Sequence, residues 1–314
     1  MKDNYYTLVV DADTIIYRMS SFLEENYIEV EYQNNGRKKK FKNITEFKGR
    51  KKTELGGWLG DLNESRKGQK PFLLKDFEII HKSKVIYPNE FAYKNIILTF
   101  KKLSELPWVK DIVIIVGGDS NFRFDVYPDY KKNRGQKPLK LIEIKDWFIN
   151  TYKGNIIVSD NCEADDELSI IGWRAFNNNK DNIVLGGIDK DLLQIPGKHY
   201  NYDKDTITNI DEFTAHYKLC IQTITGDSTD NIKSVPSAND CIQNRYPIGI
   251  GGIGPVKAKR ILEGCDSIES LYKEVEEVYK CFYLDDYKKY LNLTYKLVHL
   301  LEKKGEIKDF PFSE

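Results

Sequence analysis

Four short apolar runs, at 6–10, 112–116, 156–158 and 182–185, stop at or shortly before acidic residues. Helical periodicity precedes or follows them, at 14–23, 89–106, 140–152 and 163–176. Strand and helix alternating in this way predict an α/β fold: a mostly parallel central sheet flanked by helices. In such sheets the ligand site lies outside the carboxyl ends of the strands. The acids at those ends are Asp11 with Asp13, Asp119, Glu163 with Asp165 and Asp166, and Asp189 with Asp191. A further pair, Asp227 and Asp230, stands in Gly226-Asp-Ser-Thr-Asp-Asn231.

Taken singly, each acid is an ordinary helix cap or turn residue. If the strands are adjacent, seven or more of these acids converge on one crevice. Two unit charges ~4 Å apart repel by about 4 kcal/mol at an effective dielectric of 20, so several such pairs need cations between them. All-oxygen donors without His or Cys favour Mg²⁺, with Mn²⁺ able to substitute. Two such ions are the usual apparatus of phosphodiester hydrolysis.

Beyond about residue 211 helical stretches and Gly-rich turns replace the strands. We therefore expect a core over 1–210 and a helical subdomain over 211–314. Within the core, 27–32 alternates and Asn34-Asn35-Gly36 turns the chain, a hairpin signal. The hairpin belongs to an insertion over about 28–84, whose later part, from 49 to 88, reads as irregular.

Lys plus Arg and Asp plus Glu are 48 each, so partners cannot be read from net charge; distribution decides. Between Arg37 and Lys52 nine basic residues face only Glu46, a local charge of +8. Lys38, Lys39 and Lys40 of this run are candidate DNA contacts; the plainer reading is a solvated edge hairpin. The longest clean apolar run, 112–116, is far too short for a membrane helix, and no secretory signal is expected. The five widely spaced cysteines lack any CxxC pair. Neither structural zinc nor a disulfide framework is expected, and a reducing cytoplasm fits.

After Asp119 comes Asn121-Phe-Arg-Phe-Asp-Val-Tyr-Pro-Asp-Tyr-Lys-Lys-Asn-Arg134, cations interleaved with aromatics. Cations neutralise phosphates and aromatic faces stack on unpaired bases; the plainer reading is a loop that pins its aromatics to the core. Later, Gly249-Ile-Gly-Gly-Ile-Gly-Pro-Val-Lys-Ala258 offers a tight turn between helices and backbone N–H groups for a phosphate.

In order along the chain, Val9-Val10-Asp11-Ala12, Gly118-Asp119, Pro128-Asp-Tyr-Lys-Lys-Asn-Arg134, Glu163-Ala-Asp-Asp166, Asp189-Lys-Asp191, Gly226-Asp227 with Asp230-Asn-Ile232, and the glycine segment resemble the 5′ nuclease superfamily. That superfamily includes flap endonucleases, the 5′-nuclease domains of bacterial DNA polymerases and tailed-phage exonucleases; the phrasing Gln222-Thr-Ile-Thr-Gly-Asp227 is most like the last. The resemblance implies two Mg²⁺ ions. Asp11, Asp119, Glu163, Asp165 and Asp166 would hold the one that activates water. Asp189, Asp191, Asp227 and Asp230 would hold or steer the one at the leaving oxygen. It implies Arg123, Tyr130, Lys131 and Arg134 as catalytic groups near a helical arch at about 120–140. It also implies a C-terminal helix-three-turn-helix, with Gly252, Gly254, Lys257 and Lys259 on duplex DNA and a K⁺ ion bound there. Asp13 lies outside the family pattern. Residues 237–247 are an insertion before the glycine turn.

The expected activity is metal-dependent 5′-to-3′ DNA exonuclease with flap cleavage. The expected protein is a monomer acting on duplex DNA with 5′ ends, nicks or flaps, away from membranes. Its Asn, Lys and Tyr content fits an AT-rich bacteriophage source. The alternatives are removal of RNA primers from RNA–DNA hybrids and a non-catalytic, structure-specific DNA binder.

Overall fold

The computed structural model describes residues 5–50, 55–236, 240–246, 248–249 and 251–312. Strand β1 (Tyr6–Asp11) leads into helix α1 (Asp13–Phe22), then β2 (Glu24–Tyr32), β3 (Arg37–Phe41), α2 (Ile44–Lys48), α3 (Gly57–Ser65), β4 (Phe77–Val85) and α4 (Asn89–Ser104). Next come β5 (Val109–Val116), α5 (Arg123–Val126), α6 (Leu141–Thr151), β6 (Asn155–Val158), α7 (Ala164–Asn177) and β7 (Ile183–Gly186). A 3-10 turn (Asp191–Gln194), β8 (Gly197–Asn201) and β9 (Thr206–Ile210) follow. The remaining helices are α8 (Glu212–Thr225), α9 (Asp240–Arg245), α10 (Pro255–Ile261), α11 (Ile268–Tyr283) and α12 (Tyr287–Val298).

The chain forms two compact units: Met1–Ile15, Thr99–Gln136 and Thr151–Glu314 in the first, Ile16–Leu98 and Lys137–Asn150 in the second. The expected division at 210/211 is not where the chain parts. Helix α8 packs on the 3-10 turn Asp191–Gln194, so the C-terminal helices and the large sheet share one unit.

The first unit holds a six-stranded sheet in the order β6-β5-β1-β7-β8-β9. Every neighbouring pair is parallel except β8 with β9. The mostly parallel α/β fold read from the sequence is therefore correct, with β8 and β9 added. Helix α7 packs on β1, β5 and β7, where Leu168 joins Val9, Ile115, Leu185 and Ile195 in one buried cluster. Burying a side chain such as Leu168 contributes about 1.5–3 kcal/mol. A second cluster fastens the C-terminal helices: Leu219 and Ile224 of α8, Ala258 and Ile261 of α10, and Leu271, Val275 and Val278 of α11. The 271, 275, 278 spacing is one helical face. Cys241 and Cys281 are joined as a disulfide, their Cα atoms 5.4 Å apart. No disulfide framework is expected from the sequence; this single pair forms because α9 packs on α11 and brings together cysteines 40 residues apart.

The arch expectation also needs correction. Among the described residues 120–140 contains one helical turn, Arg123–Val126, followed by turns. Pro128, Gly135 and Pro138 interrupt any longer helix there. The glycine turn does lie between helices α9 and α10. Gly249 (φ 76°) and Gly251 (φ 109°) take left-handed conformations that favour glycine, and Gly254 is the N-cap before Pro255. Pro247, Ile250 and the inserted residues 237–239 lie outside the described residues.

The second unit is built on a three-stranded antiparallel sheet, β3-β2-β4. Ile28 and Val30 of β2 point inward with Phe41, Phe77, Phe47 of α2 and Leu59 of α3. The hairpin β2–β3 is as expected. Strand β4, which pairs along the whole of β2, replaces part of the expected irregular stretch. After Ile80 it continues through His81-Lys-Ser-Lys84, so its apolar alternation fades although its backbone pairing continues.

Candidate active site

The parallel strands bring their carboxyl ends to one edge of the large sheet. Asp11 ends β1, between β5 and β7. It is buried, and its oxygens accept hydrogen bonds from Asp13 N at 2.8 Å and Thr14 Oγ1 at 2.9 Å. Asp13 accepts in turn from Gly117 N at 3.1 Å, which ties the end of β1 to the end of β5; this gives a structural role to an acid outside the family pattern. Gly118 N donates to Ser159 Oγ at 2.7 Å, and a Cβ at Gly118 would collide with the Ser159 carbonyl. Asp119 follows on the exposed surface.

Glu163 is the N-cap of α7, and Asp165 and Asp166 stand in its first turn, where the helix dipole favours negative charge. Asp189 Oδ1 accepts from Asp191 N at 2.9 Å. Asp191 Oδ2 accepts from Gln222 Nε2 at 2.8 Å. Asp227 accepts from Thr229 N at 2.7 Å.

Electrostatics divide these acids into sets. Burial, with Asp13 and Asp189 adding, pushes the Asp11 carboxyl up to about 7. Burial, with Asp11, Asp189 and Glu163 adding, pushes Asp165 well above the usual carboxylate range. Asp191 is pushed up to about 6 by burial and Asp189, with a smaller push from Asp227, against the Gln222 hydrogen bond. Asp11, Asp165, Asp189, Asp191 and Asp227 thus share one field of mutual repulsion. Among the described residues no three His, Cys, Asp or Glu side chains gather round one point as a bound metal would hold them.

Asp166 is different. Both its oxygens take the Arg123 guanidinium, at 2.6 and 2.9 Å, while Glu163 N and Leu301 N donate at 2.9 and 3.1 Å. Burial would raise its pKa, but Arg123 outweighs this and holds it below the ordinary value. Arg123 is 1% exposed and also donates to the carbonyls of Leu297 and His299. Arg123, expected as a catalytic group, and Asp166, expected as a metal ligand, are paired with each other inside the core.

Glu163 and Asp230 form a third set. Lys131 Nζ pairs with Glu163 and lies 3.9 Å from Asp230 Oδ2. Arg134 donates to Asp230 Oδ1 through Nε at 2.9 Å and Nη2 at 2.5 Å. The Tyr130 hydroxyl donates to Asp230 Oδ2 at 2.9 Å and lies 3.2 Å from Glu163 Oε2. Lys131 N also donates to the Asp230 carbonyl at 2.9 Å, and Asn231 Nδ2 to that of Asp129 at 2.9 Å. Two turns are thereby braced, and each carries a non-glycine residue at positive φ, Lys131 at 58° and Asn231 at 62°. Phe122 and Tyr130 are 4% and 3% exposed, so these two aromatics pin the loop to the core and are not open to bases, whereas Phe124 is exposed. A cleft of about 740 Å³ adjoins the braced turns, running from Lys190 and Asp227 to Gly252 and Gly254.

Lys257 Nζ donates to the Gly249 carbonyl at 2.9 Å, while Lys259 is exposed on α10. In the second unit the expected DNA contacts have partners within their own unit. Lys38 pairs with Glu31 at 3.0 Å, Lys40 with Glu25 at 3.7 Å, and Lys39 lies 4.5 Å from the Trp58 ring centre. Lys51 and Lys52, also in the basic run, lie outside the described residues. Sequence reasoning missed Gln222 and Gln194. Gln222 stood within a recognised motif phrase; nothing marked Gln194.

Residues 84–219 match the family described as 5'-3' exonuclease, N-terminal resolvase-like domain. Over those residues the chain is similar to a 5′ nuclease domain. It is 26% identical over 216 residues to DNA polymerase I of Bacillus caldotenax, an overlap covering 64% of this chain and 23% of that protein. It is 28% identical over 212 residues to the flap endonuclease Xni of Shewanella woodyi, covering 64% of this chain and 79% of that protein. The chain thus spans about a quarter of the length of that polymerase. A solved structure of T5 5'-exonuclease with zinc ions bound aligns at 15% identity and a TM-score of 0.46, covering 66% of this chain and 80% of that one.

Proposed function

We propose that the chain is a divalent-metal-dependent 5′ nuclease that hydrolyses DNA phosphodiesters at 5′ ends and flaps. One observation carries the proposal: mutually repelling carboxylates collect at the carboxyl edge of the parallel sheet, beside Lys131 and Arg134. The exonuclease domain match and the names of the polymerase and flap-endonuclease relatives support it.

The donor set fits hard divalent cations: it is all carboxylate oxygen and repulsive without positive charge. Asp11, Asp165 and Asp189, with Asp191 and Asp227, would hold them. Bound there, such ions supply activated water and neutralise charge on the reacting phosphate. The chain's own groups do the rest. Lys131 and Arg134 bring fixed positive charge to the same edge, where a phosphate gathers negative charge in the transition state. Tyr130 and the braced turns hold those cations in place. The exposed Gly252, Gly254 and Lys259 offer backbone N–H groups and charge to a duplex backbone, contacts that carry no sequence information. Among the described residues no helix is long and apolar enough to cross a membrane, and we propose that the enzyme acts in the cytoplasm.

The test is a Mg²⁺ titration against a 5′-labelled duplex, nicked duplex and flap. Wild type should cut from the 5′ end and stop when chelator is added. Asp11→Asn and Asp189→Asn should each lose at least a hundredfold in single-turnover rate while binding DNA normally in Ca²⁺. Cleavage within tenfold of wild type by both variants would overturn the assignment, as would a wild type inert on all three substrates in Mg²⁺ and Mn²⁺.

A further inference from the structure

We infer that Gln222, oriented by Gln194, is a positioning residue for Asp191, fixing one carboxylate oxygen so that the other is presented to a divalent cation. The inference rests on the metal-dependent reading above and extends it to two neutral residues that no carboxylate pattern contains.

The observation is a directed chain of hydrogen bonds. Gln194 Nε2 donates to the Val298 carbonyl at 3.1 Å and to Gln222 Oε1 at 2.5 Å. Gln222 Nε2 then donates to Asp191 Oδ2 at 2.8 Å. Amide nitrogen and oxygen are usually told apart only by their partners, and here both ends dictate the answer. The carbonyl of Val298 only accepts, so the Gln194 atom facing it is nitrogen. The ionised carboxylate of Asp191 only accepts, so the Gln222 atom facing it is nitrogen. Turning either amide over would set oxygen against oxygen. The arrangement has a cost: Gln194 Oε1 is buried and has no partner among the described residues, an uncommon state for a buried polar atom. Two amides kept only to fill space would not need to leave an acceptor bare. This pair does so because both hydrogens of Gln194 Nε2 are committed to the relay.

Three elements meet to build the relay: the 3-10 turn Asp191–Gln194, helix α8 carrying Gln222, and the end of α12 at Val298. Asp191 is held a second time through its backbone, since its N–H donates to Asp189 Oδ1 at 2.9 Å. Asp189 and Asp227 share the edge and repel Asp191, so an unsupported side chain would turn away from them. Partners that orient a ligand typically change metal affinity 10–100-fold.

The experiment measures Mn²⁺ binding by calorimetry on the metal-free full chain without DNA. It compares wild type, Gln222→Leu, Gln194→Leu, the double variant, and Gln222→Leu combined with Asp191→Asn. Gln222→Leu should weaken Mn²⁺ binding 10–100-fold and Gln194→Leu less. The double variant should be no weaker than Gln222→Leu, because the residues act in series. In the Asp191→Asn background, Gln222→Leu should change nothing further. Flap cleavage by Gln222→Leu should recover as Mn²⁺ is raised, which a merely misfolded variant would not do. Circular dichroism checks the fold, and Gln222→Met, which keeps the side-chain length, replaces the Leu variant if that one fails to fold. A folded Gln222 variant that binds Mn²⁺ within twofold of wild type overturns the inference and leaves the nuclease reading standing. A wild type that binds no Mn²⁺ overturns the metal reading itself.

Discussion

On the β3–β2–β4 sheet Lys38 meets Glu31, Lys40 meets Glu25 and Lys82 meets Glu29; at the carboxyl edge of the six-stranded sheet Asp11, Asp165 and Asp189 meet one another. The small sheet takes part of a run of +8 along the chain and pairs two of its lysines across strands, with Glu29 opposite Lys40 and Glu31 opposite Lys38 in register. The large sheet gathers single charge signs from distant segments and leaves them opposed. A charge count along the sequence would have ranked the basic run as the stronger feature. Folding reverses that order, because an interaction depends on what lies across the strand and how much water remains.

The largest effect should come from the acid of the large sheet that does have a partner. Arg123→Ala would leave Asp166 ionised and buried without its guanidinium, and breaking a buried pair in this way costs about 3–5 kcal/mol. Thermal or urea unfolding should show that loss, with Asp166→Asn also destabilising. A stability within about 1 kcal/mol of wild type would mean that Asp166 is solvated or neutral, and the contrast between the acids would fail.

The second effect is a pH dependence of the metal-free protein. Asp11 has an ordinary value of 3.8 and is raised to about 7 on folding. A raised pKa means that the folded state holds the proton more tightly. The associated stability is complete below pH 3.8 and is lost as pH rises through 7, on the order of 4 kcal/mol. His199 and His216, lowered by burial, act in the opposite sense at acid pH, so the comparison is made at each pH against Asp11→Asn. In chelator the variant should melt above wild type at pH 8, and the gap should shrink towards pH 5. A gap that does not change with pH would show that Asp11 does not carry this repulsion.

The smallest effect should come from the small sheet. Lys38→Ala with Lys40→Ala should leave the melting temperature almost unchanged, as exposed pairs usually do. The slope of log K for DNA against log salt should change by less than one unit, where two true phosphate contacts would change it by about 1.8. A change near that figure would restore the basic run as a DNA contact.

The parallel strands were legible because 6–10 and 112–116 are apolar runs that stop at acids, and the glycine segment because its turn needs left-handed residues. What each acid does was not legible. Asp165 and Asp166 are adjacent, but successive helical residues point about 100° apart. One faces the shared field and the other faces Arg123 and Leu301, which come from 43 residues before it and 135 after it. Nothing local distinguishes them. The cysteine pair hid for the same reason, and β4 hid because its second half alternates nothing apolar.

The buried guanidinium has a temporal consequence as well. Arg123 reaches carbonyls 174 and 176 residues further along the chain, and Asp166 takes an N–H from Leu301. Contacts so remote in sequence carry a large loop-closure penalty and form late in folding. On a ribosome, the start of α7 cannot be clamped until residue 301 has emerged. A nascent chain would therefore expose its first motifs, with the acidic edge still unassembled, until those later residues have been made.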